Sequence, residues 1–244
     1  MKSTKRLNDS KNGFSLIESL ISLFLFLIIV LTCFEIFGRT RNLFFKLKEK
    51  EEAREAVLAA LDKMRTDLHL GSAGLFDPIQ LGILEGISED SGSLIILSKE
   101  KELILCNDLV EGQTRIQLES TSELKKGRDI CIFNSLNGEV LSISSVDEES
   151  IVLFSPLIFS FNKEKASIIL VKKISLYLDE KNQILRRKVN SSPAQPLLEE
   201  TAFFDFDMDK AANLVKLRLQ LKTNKEKFYE ISVFPKNAAL AVIH

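Results

Sequence analysis

Residues 14–37 are an apolar run with no Pro or Gly, and its only charged members are Glu18 and Glu35. As a helix the run is about 36 Å long, at ~1.5 Å per residue. A bilayer's hydrocarbon core is about 30 Å thick, so the run is long enough to cross one. Whatever else the chain does, it must accommodate this segment in lipid or against other apolar helices.

The flanks bear on whether the run is an ordinary export signal. A polar leader carries Lys2, Lys5, Arg6 and Lys11 against Asp9, which suits the basic start of such a signal. The run is too long for the usual apolar core, however, and Gly38-Arg39-Thr40-Arg41 follows it in place of a small-x-small cleavage site. Arg39, Arg41, Lys46, Lys48 and Lys50 match the leader in basic charge, so counting positive residues does not orient the segment. Glu18 is the informative residue. An ionised carboxylate inside hydrocarbon costs several kcal/mol unless it is paired or protonated. Glu18 therefore either reaches the interface from its place near the helix start or serves a partner.

Past Gly38 the chain becomes charged but keeps helical spacing. Leu43, Leu47, Val57, Ala60, Leu61, Met64 and Leu68 recur at three and four residues, most clearly from Val57 onward. The helix should stop near Gly71 to Gly74, which makes it about 85 Å long if unbroken. Residues 72–93, with Pro78, read as a loop with one short strand. Beyond it the period changes to two. Candidate strands are 94–97, 103–106, 114–118, 130–133, 140–146, 151–154 and 168–171, then 175–178, 184–189, 203–207, 214–221 and 228–234. Turn signals lie between them, and Asn137-Gly138 is the clearest hairpin turn. One long helix followed by many strands predicts an α+β fold. The long N-terminal helix, transmembrane in its first half and amphipathic in its second, is expected to pack on an antiparallel β-rich globular domain. The expected organisation is a leader over 1–13, a membrane helix over 14–37, its amphipathic continuation over 38–71 and the β-rich domain over 72–244.

No residue constellation points to catalysis, a cofactor or a metal. The net charge of −1 offers nothing to nucleic acid. His69 falls on the predicted helix, and neither it nor His244 has a nucleophile context. Asp205-Phe-Asp-Met-Asp209 invites a calcium reading, but Lys210 and Lys216 stand where a calcium loop wants glycine and a bidentate acid. The blander reading is a strand with its acids in solvent and Phe206 and Met208 inward. Cys33 is a small residue of the apolar run. Cys106 and Cys131 fall in strand-like stretches, and two readings stay open for them: a disulfide, or two buried free thiols.

The motif Gly13-Phe14-Ser15-Leu16-Ile17-Glu18, behind a short basic leader, resembles the class III signal of type IV prepilins and type II secretion pseudopilins. The resemblance implies cleavage between Gly13 and Phe14 by a prepilin peptidase, and N-methylation of Phe14. Glu18 becomes the fifth residue of the mature chain, a position that is glutamate in most of that family. There it would pair with the new α-amino group of an adjacent subunit, offsetting the burial of both charges and helping to set axial register.

A second resemblance covers the globular part. Leu124-Lys-Lys-Gly-Arg-Asp-Ile-Cys-Ile-Phe133, Ser175-Leu-Tyr-Leu-Asp179 and the final Ile231-Ser-Val-Phe-Pro-Lys-Asn237 are similar to segments of PilW-like minor pilins. J-type pseudopilins share the layout, and Arg128 departs from the usual Gly-Asp turn. These resemblances imply a non-enzymatic structural subunit that primes or tips a type IV pilus or a secretion filament. Its partners would be the prepilin peptidase and methyltransferase, other minor and major pilins or pseudopilins, and an inner-membrane assembly platform. It would begin as a single-pass cytoplasmic-membrane protein with an extracytoplasmic C-terminal domain, and move into a pilus or periplasmic filament. The alternative is an uncleaved, membrane-anchored binding or sensor domain that does not assemble.

Overall fold

The computed structural model describes residues 15–223 and 226–238. The predicted leader and Phe14 lie outside the described residues. The chain divides into two compact units between Glu55 and Ala56.

In the first unit, helix α1 (Leu16–Leu70) begins directly after Ser15. Its side chains are exposed over nearly all of the apolar run, and its length and apolarity are sufficient to cross a membrane. Leu43 and Leu47, expected on the buried stripe, are instead 59% and 57% exposed. Charged residues dominate the helix from Lys46 to Glu55, so no continuous apolar face reaches back to them. The Lys48–Glu52 and Glu51–Arg54 pairs there, at 3.6 and 3.7 Å, are solvent-exposed. Each is worth only a few tenths of a kcal/mol.

The second unit opens with the last turns of α1, where Val57, Ala60, Leu61, Met64, Asp67 and Leu68 are buried. This is the expected stripe with one addition, Asp67, three residues after Met64. The helix ends at Leu70; Gly71 N–H donates to Leu68 O at 3.1 Å, and Ser72 turns into the left-handed region at φ 64°. A short helix α2 (Phe76–Gln80) follows where the sequence predicts a loop, with Pro78 buried in its first turn.

Twelve strands come next: β1 (Ile87–Asp90), β2 (Ser93–Leu103), β3 (Arg115–Gln117), β4 (Asp129–Phe133), β5 (Gly138–Val146), β6 (Ser150–Leu153), β7 (Ser167–Asp179), β8 (Ile184–Val189), β9 (Gln195–Leu198), β10 (Thr201–Asp209), β11 (Leu214–Leu221) and β12 (Phe228–Val233). Among the described residues every pairing is antiparallel. Nine strands form one sheet in the order β1-β2-β7-β4-β5-β6-β3, with β8 and β9 branching from β7; β10-β11-β12 form a second sheet. The α+β expectation holds: a long helix precedes an antiparallel, β-rich domain.

The large sheet is covered on both faces. On one, Ile130, Ile132, Ile168 and Leu170 pack with Ile116, Leu118, Ile143, Ile151 and Phe161 from the curled β3–β5–β6 side. On the other, Cys131, Phe133, Ile169 and Val171 lie under Leu75, Ile79, Leu81 and Ile83 of the α2 segment. Full burial of a Leu, Ile or Val side chain contributes about 1.5–3 kcal/mol. This double coverage explains why β4 and β7 read as continuous apolar runs.

Several boundaries differ from those expected. Strands 168–171 and 175–178 are one strand, β7, which runs straight through Lys172 and Lys173. Strand 94–97 extends as β2 to Leu103, with a bulge between Lys99 and Lys101 that absorbs the change of register; of the expected strand 103–106 the rest lies beyond the end of β2, where Leu105 makes an isolated bridge to Leu118. The Asn137-Gly138 hairpin exists, but its turn is residues 134–137, since Phe133 pairs with Gly138. Asn134 Oδ1 accepts the Leu136 and Asn137 N–H groups at 2.8 Å each. Gly138 is needed for a different reason: a Cβ there would overlap Ile83 and Phe133. At the β7–β8 hairpin, Asp179 accepts from Asn182 Nδ2 and Arg186 Nε, both at 2.8 Å. Those bonds hold its carboxyl below the usual carboxylate range.

The disulfide reading is corrected. Cys106 and Cys131 are both free, and Cys106 is exposed while Cys131 is buried. Cys131 points into the cluster under α2, whereas Leu105, next to Cys106, belongs to the core on the opposite face of the sheet. Burial pushes the Cys131 thiol up to about 12. The expected result of alkylating the native protein at pH 8 is therefore rapid labelling of Cys106, with Cys131 labelled only after denaturant. Peptide mass spectrometry distinguishes the two, and equal labelling rates would contradict the burial.

Candidate processing and assembly site

Of the three residues expected to form the processing and register site, Gly13 and Phe14 lie outside the described residues, and Glu18 lies in the first turn of α1. Its environment follows from local sequence. Ser15 precedes the helix, and Ser15-Leu16-Ile17-Glu18 has the spacing of a capping box. Glu18 Oε2 accepts the Ser15 N–H at 2.9 Å, which satisfies one donor that a helix start leaves without an intrahelical partner. An acid here also faces the positive end of the helix dipole. The expectations for Glu18 are a snorkelling charge or a partner for an adjacent subunit's α-amino group; the cap is an addition to them, and the Ser-x-x-Glu spacing is its signal.

Two further polar groups of the apolar run, Thr32 and Glu35, are satisfied within the helix. Thr32 Oγ1 donates to Ile28 O at 2.8 Å. Glu35 is paired with Arg39, one turn on, at 2.6 Å. Among the described residues, Glu18 is thus the acid of the run that has no cationic partner; it has a backbone N–H alone. Around it Leu16, Ile17, Leu20 and Ile21 are all exposed. The start of the helix therefore presents one carboxylate on an apolar surface. That arrangement suits recognition of a cation in a low-dielectric setting, where the charge interaction is strengthened.

Asp205, Asp207 and Asp209, the calcium candidates, have other partners. Asp205 accepts from Arg218 Nη2 at 2.7 Å, Asp207 lies opposite Lys216, and Asp209 accepts the Ala212 N–H at 2.9 Å in the turn. Phe206 and Met208 share the face of Leu217 and Val215, as the alternation predicts.

No curated protein matches this chain in sequence. Among solved structures, it is similar to the Gp54 tailspike of Acinetobacter baumannii bacteriophage AP22: 16% identity over 32% of this chain and 15% of the tailspike, TM-score 0.29. It is similar also to the gp49 tailspike of Pseudomonas phage LKA1, with 19% identity over 29% and 14% of the two chains and a TM-score of 0.26. The chain thus spans about one seventh of the length of these tailspikes, and at such TM-scores the likeness carries no argument. The match that bears on the site is a family pattern. Residues 8–34 match the prokaryotic N-terminal methylation motif, and this segment, with its long apolar helix, is consistent with a class III prepilin-type signal.

Proposed function

We propose that this chain is a minor pilin or pseudopilin, a structural subunit of a type IV pilus or a type II secretion-like filament with no catalysis of its own. The observation that carries this reading is the methylation motif over residues 8–34, at the start of an uninterrupted apolar helix. A prepilin peptidase cuts between Gly13 and Phe14, and Phe14 is methylated. Cleavage ahead of the apolar run leaves the anchor on the mature chain. The subunit waits in the cytoplasmic membrane with its β-rich domain outside the cytoplasm, and then joins other pilins through the assembly platform.

Two features favour a minor role in priming or tip assembly. The β-rich domain is large, and it carries a second three-stranded sheet. The outer edge of β12 in that sheet has no neighbouring strand among the described residues. Such an edge offers backbone donors and acceptors to another subunit.

The test is the intact mass of the mature protein from the membrane fraction of its native host. The expected chain begins at Phe14 and is heavier by one methyl group. A chain that keeps Gly13 in a host with active prepilin peptidase overturns the reading and leaves an uncleaved anchored domain.

A further inference from the structure

Strand β7 is longer than either neighbour on one of its edges. Residues 167–171 pair with β4 and residues 174–179 with β8, which leaves a fork beside Lys172 and Lys173. Asn190, at φ 51°, closes the fork: its Oδ1 accepts the Lys173 N–H at 2.8 Å, and its own N–H donates to Lys173 O at 2.7 Å. At this point the structure has a cavity of about 270 Å³, lined among others by Arg128, Asp129, Lys173, Ser175, Lys188 and Ser191. Strand register puts Asp129, Lys173, Ser175 and Lys188 on the same face of the sheet.

Arg128 is the residue that departs from the Gly-Asp turn in sequence, and it is 7% exposed. Its Nη2 donates to Glu100 Oε2 at 2.5 Å and to Val171 O at 3.4 Å. Glu100 is the residue that the β2 bulge inserts. The Arg128 Nε–H is buried without a hydrogen-bond partner. An unpaired buried donor of this kind destabilises the fold, and more so when the group is charged. The Lys173 and Lys188 ammonium groups have no partner among the described residues either. The acid in the lining, Asp129, already accepts from Ser142 Oγ at 2.5 Å.

We propose that this fork binds a small tetrahedral oxyanion of the phosphate or sulfate class, held by Arg128 Nε–H and the Lys173 and Lys188 ammonium groups, with the Ser175 and Ser191 hydroxyls completing its shell. Charge-assisted bonds from fixed donors are the strong kind, and Arg128 has its Nε–H to offer, since Nη2 is taken by Glu100 and Val171. A cation would meet three like charges against the carboxylates of Asp129 and Glu100, a net repulsion. A neutral apolar ligand would leave the Arg128 donor unpaired.

The test uses the full chain in nonionic detergent and follows thermal unfolding by circular dichroism in sodium phosphate and in sodium chloride at matched ionic strength. The expected midpoint rises with phosphate and saturates. In a Lys173→Gln/Lys188→Gln double variant, phosphate affinity falls at least tenfold while the midpoint in chloride is unchanged, because neither lysine has a partner to lose. No saturable rise in the wild type, or equal affinity in the double variant, overturns the proposal. Acetate acting as well as phosphate and sulfate overturns the tetrahedral class. Glycerol 3-phosphate binding more tightly than inorganic phosphate assigns the group to a lipid-type headgroup, and weaker binding assigns it to the free ion; either supports the site.

Discussion

Replacing Asp67 with Ala should lower the unfolding free energy of the second unit by about 3–5 kcal/mol. Asp67 sits in the apolar stripe of α1 with its side chain 2% exposed. It accepts two bonds from Arg187 on β8, from Nε at 2.6 Å and from Nη2 at 3.0 Å. The Arg187 side chain is 15% exposed, so the pair joins helix to sheet largely out of water. Lys63 lies one helical turn away at 3.7 Å, half-exposed, and it cannot stand in for Arg187. Removing Asp67 leaves a guanidinium under the helix with its Nε and Nη2 donors unmatched. Local helix effects run the other way. Ala is the better helix former by less than ~1 kcal/mol, and deleting an acid in the last turn relieves a clash with the helix dipole. A net loss of several kcal/mol must therefore come from the broken pair. For a unit of this size the loss corresponds to a fall in Tm of roughly 6–20 °C. Urea titrations of the detergent-solubilised protein, followed by far-ultraviolet circular dichroism, read it as a lower midpoint at unchanged slope. The double variant Asp67→Leu/Arg187→Met should recover most of the loss, since replacing both charges abandons neither. A single-variant loss below about 1 kcal/mol would mean that water reaches the pair and screens it.

That pair shows where local sequence stops being informative. The stripe from Val57 to Leu68 was readable because helical periodicity depends on neighbours three and four apart. The same periodicity places Asp67 on the buried face, where an acid in an apolar stripe signals a buried partner. Its partner, Arg187, lies 120 residues away in sequence, and no local pattern connects the two. Strand lengths failed for a related reason. Lys172 and Lys173 look like a break between two short strands, yet β7 continues because β2, β4 and β8 supply backbone partners along it. In β2 the charged run of residues 99–102 also looked like a loop. The bulge there directs Glu100 toward Arg128, an arrangement that exists only once β2, β7 and β4 are side by side. The Asn-Gly signal found the right hairpin but the wrong turn, because Gly138 answers to the crowding of Ile83 and Phe133 and not to turn geometry. The Ser15–Glu18 cap is carried by local spacing alone, whereas the proposed role of Glu18 between subunits depends on a second chain.

Glu18→Gln is the variant that separates these two roles. Gln keeps the shape of Glu and its ability to accept the Ser15 N–H, so the capped helix start should survive the change. What it removes is the charge. In the proposed assembly, the α-amino group freed at Phe14 is cationic near neutral pH, its unperturbed pKa being about 7.7–8.0. Packed among apolar helices beside an amide, that amine has no counter-charge, and an abandoned buried charge costs about 3–5 kcal/mol. A loss of ~3 kcal/mol is already more than a hundredfold in an equilibrium. Losing the cap alone costs only ~1 kcal/mol, and Gln does not lose it. The expected outcome is normal amounts of a mature, methylated chain starting at Phe14, with incorporation into sheared filaments reduced at least tenfold. Quantitative immunoblots of the filament fraction measure the second quantity, and intact mass of the membrane fraction measures the first. Glu35→Gln is the control, because Glu35 is already paired with Arg39 in its own helix; its incorporation should stay near that of the parent chain. If Glu18→Gln also assembles normally while Glu18→Ala fails, Glu18 acts as a helix cap and the register argument is wrong. If processing at Gly13 fails in the Gln variant, the charge is read by the peptidase before any subunit meets another.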